Sequence, residues 1–245
     1  GYKRLVLHSG GQEFNAPGWT LLRTPLVEWL GAHTHATVAP SRPVLLFING
    51  EPQGIYLLRQ RIDDWYFADV HNTPVVDQAA REALWQELWG YIADHDMQDP
   101  AAYAAVTARI NVDNFIDYHL LNLYAGNTDW IYANMRRYLP ASSGGQWHWL
   151  IWDVDWTFGL LKEAGPDFDM IAYFFETEDP AFQQGSLPLR RLLENPQFRQ
   201  RFLSRADELL NTVLQPDVVT ARLDALAAEM APDAAFESNR WPSST

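Results

Sequence analysis

In the stretch NTDWIYANMRRY a carboxylate, Asp129, and a carboxamide, Asn134, stand five residues apart among Trp130, Ile131 and Tyr132. Further along, IWDVDWTFG places Asp153 and Asp155 two residues apart at the end of an apolar run. All four are oxygen donors, the type that a hard divalent cation such as Mg²⁺ selects. Mg²⁺ keeps several waters, so one carboxylate and one carboxamide from the protein suffice when phosphates supply other ligands. In an extended backbone Asp153 and Asp155 point to the same side, and two like charges held together invite a cation. The chemistry such a set can do is metal-assisted phosphoryl transfer, with a carboxylate accepting the proton of the attacking hydroxyl. Bland alternatives stand beside it. Asp129 and Asn134 also suit a capped loop, and Asp153 and Asp155 also suit ion pairs with Arg136 or Arg137.

These residues need elements to hold them. KRLVLH reads as a strand, and TPLVEWL as a short helix with Thr24 as N-cap and Pro25 in its first turn. PVLLFI and GIYLLRQ read as the arms of a hairpin with NGEPQG as its turn. From about Thr73 the period becomes helical. DQAAREALWQELWGYIADH sets Ala80, Leu84, Leu88 and Ile92 on one face, and PAAYAAVTARINVDNFIDYHLLNLYAG follows with Asp99 as cap. NMRRYL, PASSGG and QWHWLIW predict a second hairpin ending at Asp153, and Glu163 to Ser186 reads as a long surface excursion. The tail is helical: LPLRRLLE, then a helix capped by Asn195 with Pro196 in its first turn, then PDVVTARLDALAAEM. The sequence thus predicts an α+β fold, a small β-rich lobe over 1–62 and a larger, mainly helical lobe over 63–245, crossing near RQRID. Clefts between such lobes are favoured ligand sites.

Composition narrows the function. With 47% hydrophobic and 13% aromatic residues in 245, the chain can fill a sizeable core. A formal net charge of -13 opposes nucleic acid and anionic membranes as partners. The absence of cysteine excludes thiol catalysis, disulfides and the usual structural zinc sites. No apolar run approaches the roughly 20 residues of a membrane span.

The order Asp129, Asn134, hairpin, Asp153 is that of a protein kinase catalytic centre. The chain resembles the spore-coat protein H (CotH) kinase family, an atypical kinase-like fold, on the segments LVLHSGGQEF, PVLLFINGEPQGIYLLRQRID, NFIDYHLLNLYAGNTDWIYANMRRY, WHWLIWDVDWTFG and LRRLLENPQFRQRFLSRADELLNT. The resemblance implies an ATP- and Mg²⁺- or Mn²⁺-dependent kinase acting on Ser or Thr of secreted, cell-envelope or spore-coat proteins. It assigns Asp129 as the catalytic-loop Asp, Asn134 and Asp153 as metal ligands, and Asp155 as an additional metal ligand. Lys3, the only lysine before the first helix, becomes the candidate contact to the nucleotide phosphates. The resemblance also implies that the small lobe is partial, the family having a further segment upstream.

Three departures lie in that lobe: His8 where the family has an Arg, Thr24 where it has an acidic residue that would pair with a phosphate-holding Lys, and Gln60 where it has a Glu. Glu28, one turn on, can substitute for the acidic residue. These departures keep open a pseudokinase that serves as a structural or binding protein, and the same cleft also supports transfer of other groups. His33 and His35 read as a solvent loop, Asp94 to Asp99 as a helix end with its cap, Asp117 and Tyr118 as supports of the catalytic loop, and the Trp residues mostly as core.

Overall fold

The computed structural model describes residues 4–11, 20–71, 78–131, 134–140, 144–160 and 165–236. Strand β1 (Leu5–His8) leads to helix α1 (Arg23–Ala32), then to the hairpin of β2 (Ser41–Ile48) and β3 (Glu51–Gln60). The three strands form an antiparallel sheet in the order β1-β3-β2. The hairpin arms run further than the sequence predicts. Asn49 and Gly50 alone make the turn, with φ of 53° and 86°, the doubly positive pair that suits the twist of flanking strands. Gly54, with φ of 93°, serves instead at the register shift opposite Leu46 and Phe47, a bulge inside the strand.

Helix α1 begins two residues earlier than predicted. Its N-cap is Leu22, which makes no side-chain cap, and Thr24 is buried in the first turn. Arg23 anchors this start by donating from Nε to the Thr157 carbonyl at 2.9 Å. Leu26, Val27 and Leu30 of α1 enter the main core together with the later helices.

Helix α2 (Asp64–His71) follows the sheet and is absent from the sequence reading. Its Tyr66 and Phe67 close a small apolar cluster with Ala39, Tyr138 and Leu150. In α3 (Gln78–Asp94) the inward stripe is Trp85, Leu88 and Ile92, whereas Leu84 is half exposed and Ala80 exposed. The i, i+4 row chosen from the sequence is therefore offset from the stripe that packs, because Trp85 offers more apolar surface than Leu84.

Asp99 caps α4 (Pro100–Thr107) by accepting from Ala101 N–H at 3.0 Å. The predicted single run then breaks before α5 (Val112–Tyr124). Between them Asn111 N–H donates to Trp147 O at 2.9 Å, and Trp147 N–H donates to Arg109 O at 2.8 Å. Asn111 caps α5 with its side chain. Strands β4 (Arg136–Tyr138) and β5 (His148–Leu150) form the second hairpin, which ends three residues short of Asp153.

The segment expected as an excursion is helical over most of its described length. It holds α6 (Met170–Glu176), capped by Asp169, and the start of α7 (Pro180–Leu192), capped by Asp179. Its aromatic residues decide this: Phe174 and Phe182 are fully buried and pack on each other at 6.0 Å. Helices α8 (Pro196–Leu210), capped by Asn195, and α9 (Pro216–Met230) complete the helical part. The main core surrounds α5, with Phe115, Trp149, Phe174, Phe182 and Phe198 at most 1% exposed. No described helix is long and apolar enough to cross a membrane.

Candidate active site

The loop after α5 carries Asp129, and a short relay of amides fixes its backbone. Asn127 N–H donates to Asn122 O, Asn127 Nδ2 donates to Asn122 Oδ1 at 3.0 Å, and Asp129 N–H donates to Asn127 Oδ1 at 3.2 Å. Both asparagines are buried, at 3% and 0% exposure, so their amides need these partners. Beyond the relay, Trp130 is fully buried against Tyr118, His119 and Phe174. Gly185 of α7 lies so close to Ile131 that a Cβ there would come within 2.5 Å of its side chain. Tyr173 Oη donates to Thr128 O at 3.1 Å. The loop is thus gripped from α5, α6 and α7.

Asn134 reaches back to donate from Nδ2 to Asp129 Oδ2 at 2.8 Å. Asp153 and Asp155 approach from the segment after β5, though not as an extended pair. Asp153 has φ of 52°, a left-handed conformation that Asp tolerates, and Asp155 begins a turn. The same-side argument from an extended strand therefore fails, yet the two charges still meet. Burial pushes the Asp153 carboxyl above the usual range; Asp155 adds to this, Arg59 opposes it, Asp129 adds and Arg136 opposes. Burial also raises Asp129, with Asp155 pushing the same way and the Asn134 hydrogen bond opposing. Three carboxylates therefore repel one another across one small region. The structure brings Asp129, Asn134, Asp153 and Asp155 together; Lys3 lies outside the described residues.

Asp155 is buried, and the turn after β1 packs directly against it. Gly11, with φ of 62°, sits where a Cβ would be 2.4 Å from Asp155 Oδ2. Only a glycine fits there without displacing the carboxylate. His8 flanks the same place, held neutral: burial and then Arg59 lower its imidazole to about 4, against the pull of Asp155.

The sequence reading passed over Arg59. It is 7% exposed, its Nη1 lies 3.9 Å from Glu28 Oε1, and its guanidinium lies 4.8 Å over the Trp152 ring. Arg136 lies over the same ring at 5.3 Å. Glu28 does reach an arginine, as its position one turn beyond Thr24 allows, but the partner comes from β3. The signal available in the sequence was the charged Arg59 inside the otherwise inward-facing row Ile55, Leu57, Arg59.

Other candidates fall into structural roles. His35 N–H and Nδ1 meet Asp117 Oδ2 at 2.7 and 2.9 Å, and Arg205 binds Asp117 through Nε and Nη2 at 2.8 and 2.9 Å. Asp117 therefore clamps α5 to α8 and to the loop after α1, while Tyr118 packs on Trp130 of the loop that carries Asp129. His33 bonds the Trp29 carbonyl. Asn114 ties Trp149 and His35 together, so α5 also sets the position of β5.

Among the described residues no three His, Asp or Glu side chains are drawn tightly enough to form a ready-made metal cluster. The donor set nonetheless fits a hard divalent cation. Asp129, Asp153 and Asp155 are oxygen ligands in mutual repulsion, and Asn134 spends its NH₂ on Asp129, which leaves its carbonyl oxygen as a donor.

A half-buried loop carboxylate, a carboxamide bonded to it and an acidic pair beyond a short hairpin form the candidate site on a mixed α and β fold. The sequence model of the family described as CotH kinase protein matches residues 72–245, and the chain belongs to that family. The match contains Asp129, Asn134, Asp153 and Asp155 and stops short of Glu28 and Arg59. No curated protein matches the chain.

Proposed function

We propose that this chain transfers the terminal phosphoryl group of ATP, with Mg²⁺ or Mn²⁺, to a Ser or Thr hydroxyl of a secreted or spore-coat-type protein. The observation that carries this is the hydrogen-bonded pair Asp129 and Asn134 facing the repelling carboxylates Asp153 and Asp155. Asp129 orients the acceptor hydroxyl and takes its proton; a carboxylate raised by burial is a better base for that purpose than a solvated one. The carbonyl oxygen of Asn134 and the carboxylates of Asp153 and Asp155 hold the metal, which when bound neutralises charge on the phosphates. Lys3 is assigned to the nucleotide phosphates. Residues 1–62 and 63–245 act as the two lobes that enclose the site.

The test is the melting temperature of the chain titrated with ATP, with and without Mg²⁺. A ligand that binds only the native state at 100 times its Kd stabilises by about 2.7 kcal/mol, or roughly 5–10 °C for a chain of this size. A metal-dependent rise of that order supports the nucleotide site. No shift at millimolar ATP supports the second reading, a catalytically impaired member with a structural or binding role. His8, standing where the family has an Arg, is what motivates that reading.

A further inference from the structure

Arg59 lies on the inner face of β3. The register sets it opposite Val6 and sets His8 opposite Leu57, so His8, Leu57 and Arg59 point to one side of the sheet. On that side its guanidinium has carboxylates in two directions. Glu28 of α1 lies at 3.9 Å, beyond hydrogen-bonding distance. Glu28 Oε2 is already engaged, accepting from Ser41 N–H at 2.8 Å and from Ser41 Oγ at 2.6 Å. In the other direction the guanidinium lies on Trp152, the residue before Asp153, and feels the charge of both Asp153 and Asp155. Arg136, the other cation over Trp152, is exposed.

A buried arginine held loosely by one carboxylate and within the field of two others is poorly explained as a structural ion pair, which needs close geometry to offset desolvation. It is well placed for two other partners. Its planar set of donors matches phosphate oxygens, and its charge occupies the neighbourhood that a metal ion at Asp153 and Asp155 would fill.

We propose that Arg59 is a phosphate-contacting residue that also competes with the divalent metal: it balances Asp153 and Asp155 when no metal is bound and binds nucleotide phosphate when one is. This rests on the metal and nucleotide site proposed above. It yields effects of opposite sign on two ligands, which a residue that merely supports the fold does not produce. Removing the Arg59 charge strengthens binding of metal alone and weakens binding of nucleotide.

The experiment measures Mn²⁺ binding without nucleotide by electron paramagnetic resonance, and Mg²⁺-dependent ADP binding by calorimetry, for the wild-type chain, Arg59→Met and Arg59→Lys. Circular dichroism melts report whether each variant is folded. Arg59→Met is expected to bind Mn²⁺ about 5–10-fold more tightly, as loss of a nearby like charge allows, and ADP about 10–100-fold more weakly. Arg59→Lys keeps wild-type Mn²⁺ affinity and recovers part of the ADP affinity, because the charge remains and the planar fork is lost. Unchanged ADP affinity in Arg59→Met, or parallel weakening of both ligands, overturns the proposal. If Arg59→Met does not fold, Arg59→Lys decides: selective loss of ADP affinity supports it and unchanged ADP affinity overturns it. A wild-type chain that binds neither ligand overturns the parent reading and this one together, whereas failure of the variants alone leaves the parent reading standing.

Discussion

The carboxamide of Asn134 donates a 2.8 Å hydrogen bond to the carboxylate of Asp129, and the backbone N–H of Asp129 is held by the buried carboxamide of Asn127. Two amides thus fix one acid from opposite ends, one through its side chain and one through its main chain. Asn127→Ala removes the second hold and leaves the Asn122 carboxamide short of a partner. It is expected to lower kcat about 10-fold with little change in KM for ATP, because a misplaced acid loses orientation before it loses nucleotide binding. Steady-state kinetics of phosphate transfer check this; an equal rise in KM would assign Asn127 to binding.

Gly11 has a left-handed backbone and no room for a Cβ against Asp155. Gly11→Ala must displace either the turn or the carboxylate. Metal-dependent nucleotide binding is expected to weaken about 10-fold, the order of loss seen when a metal ligand or its support is disturbed, while the helical core melts as before. Calorimetry with Mg²⁺ and ADP measures it.

Asp117 is the acid at the centre of the clamp joining α5, α8 and His35. Burial pushes its carboxyl up, but Arg205 and the His35 hydrogen bonds together outweigh it and hold the carboxyl below the usual range. Asp117→Ala leaves Arg205 with Glu208 and a long contact to His35, and is expected to cost about 2–4 kcal/mol. Urea unfolding gives the value. If stability is unchanged, the clamp is not what couples these elements.

Glu28 gives stability a pH dependence of defined sign. Burial raises its carboxyl from 4.5 to about 7, against the pull of Ser41 and Arg59. Between those values the folded chain retains a proton that the unfolded chain has released, so this contribution is complete below 4.5 and is lost as pH rises through about 7. Glu28→Gln is expected to remove that decline, which urea midpoints on either side of the window would show.

The imidazole of His119 acts in the opposite sense. It is 1% exposed, bonded to the Phe115 carbonyl at 2.7 Å, and burial lowers it from 6.5 to about 3. Its contribution is present above 6.5 and lost as pH falls toward about 3, because the unfolded chain takes up the proton first. His119→Leu is expected to blunt acid unfolding in that interval, read from the pH midpoint of the circular dichroism signal.

Much of this was legible in the sequence where local chemistry decides the outcome. Asp99 and Asn195 cap the helices they were expected to cap, and β1, the first hairpin and the second hairpin follow from alternation and turn residues. Long-range packing decided the rest. Asp63 caps Asp64–His71 by accepting from Tyr66 N–H, but a lone Asp is a weak mark of so short a helix, which also depends on Tyr66 and Phe67 finding Tyr138 across the fold. The stretch from Asp169 is polar enough to read as a loop, yet Phe174 and Phe182 pull two helices onto Trp130 and the core. At the site, the order of Asp129, Asn134, Asp153 and Asp155 was visible, but the reason Asp153 and Asp155 meet was not. The expected extended strand is a left-handed turn, and the buried cation beside it, Arg59, comes from a sheet that local sequence could not align with them.

The most direct measurement is transfer of labelled phosphate from Mg²⁺-ATP onto Ser- and Thr-containing spore-coat or secreted proteins by the wild-type chain and by Asp129→Ala. Transfer by the wild type that falls at least about 100-fold in the variant, with the melting temperature preserved, is the expected result. Equal transfer by both would contradict the role of Asp129 and the chemistry built on it.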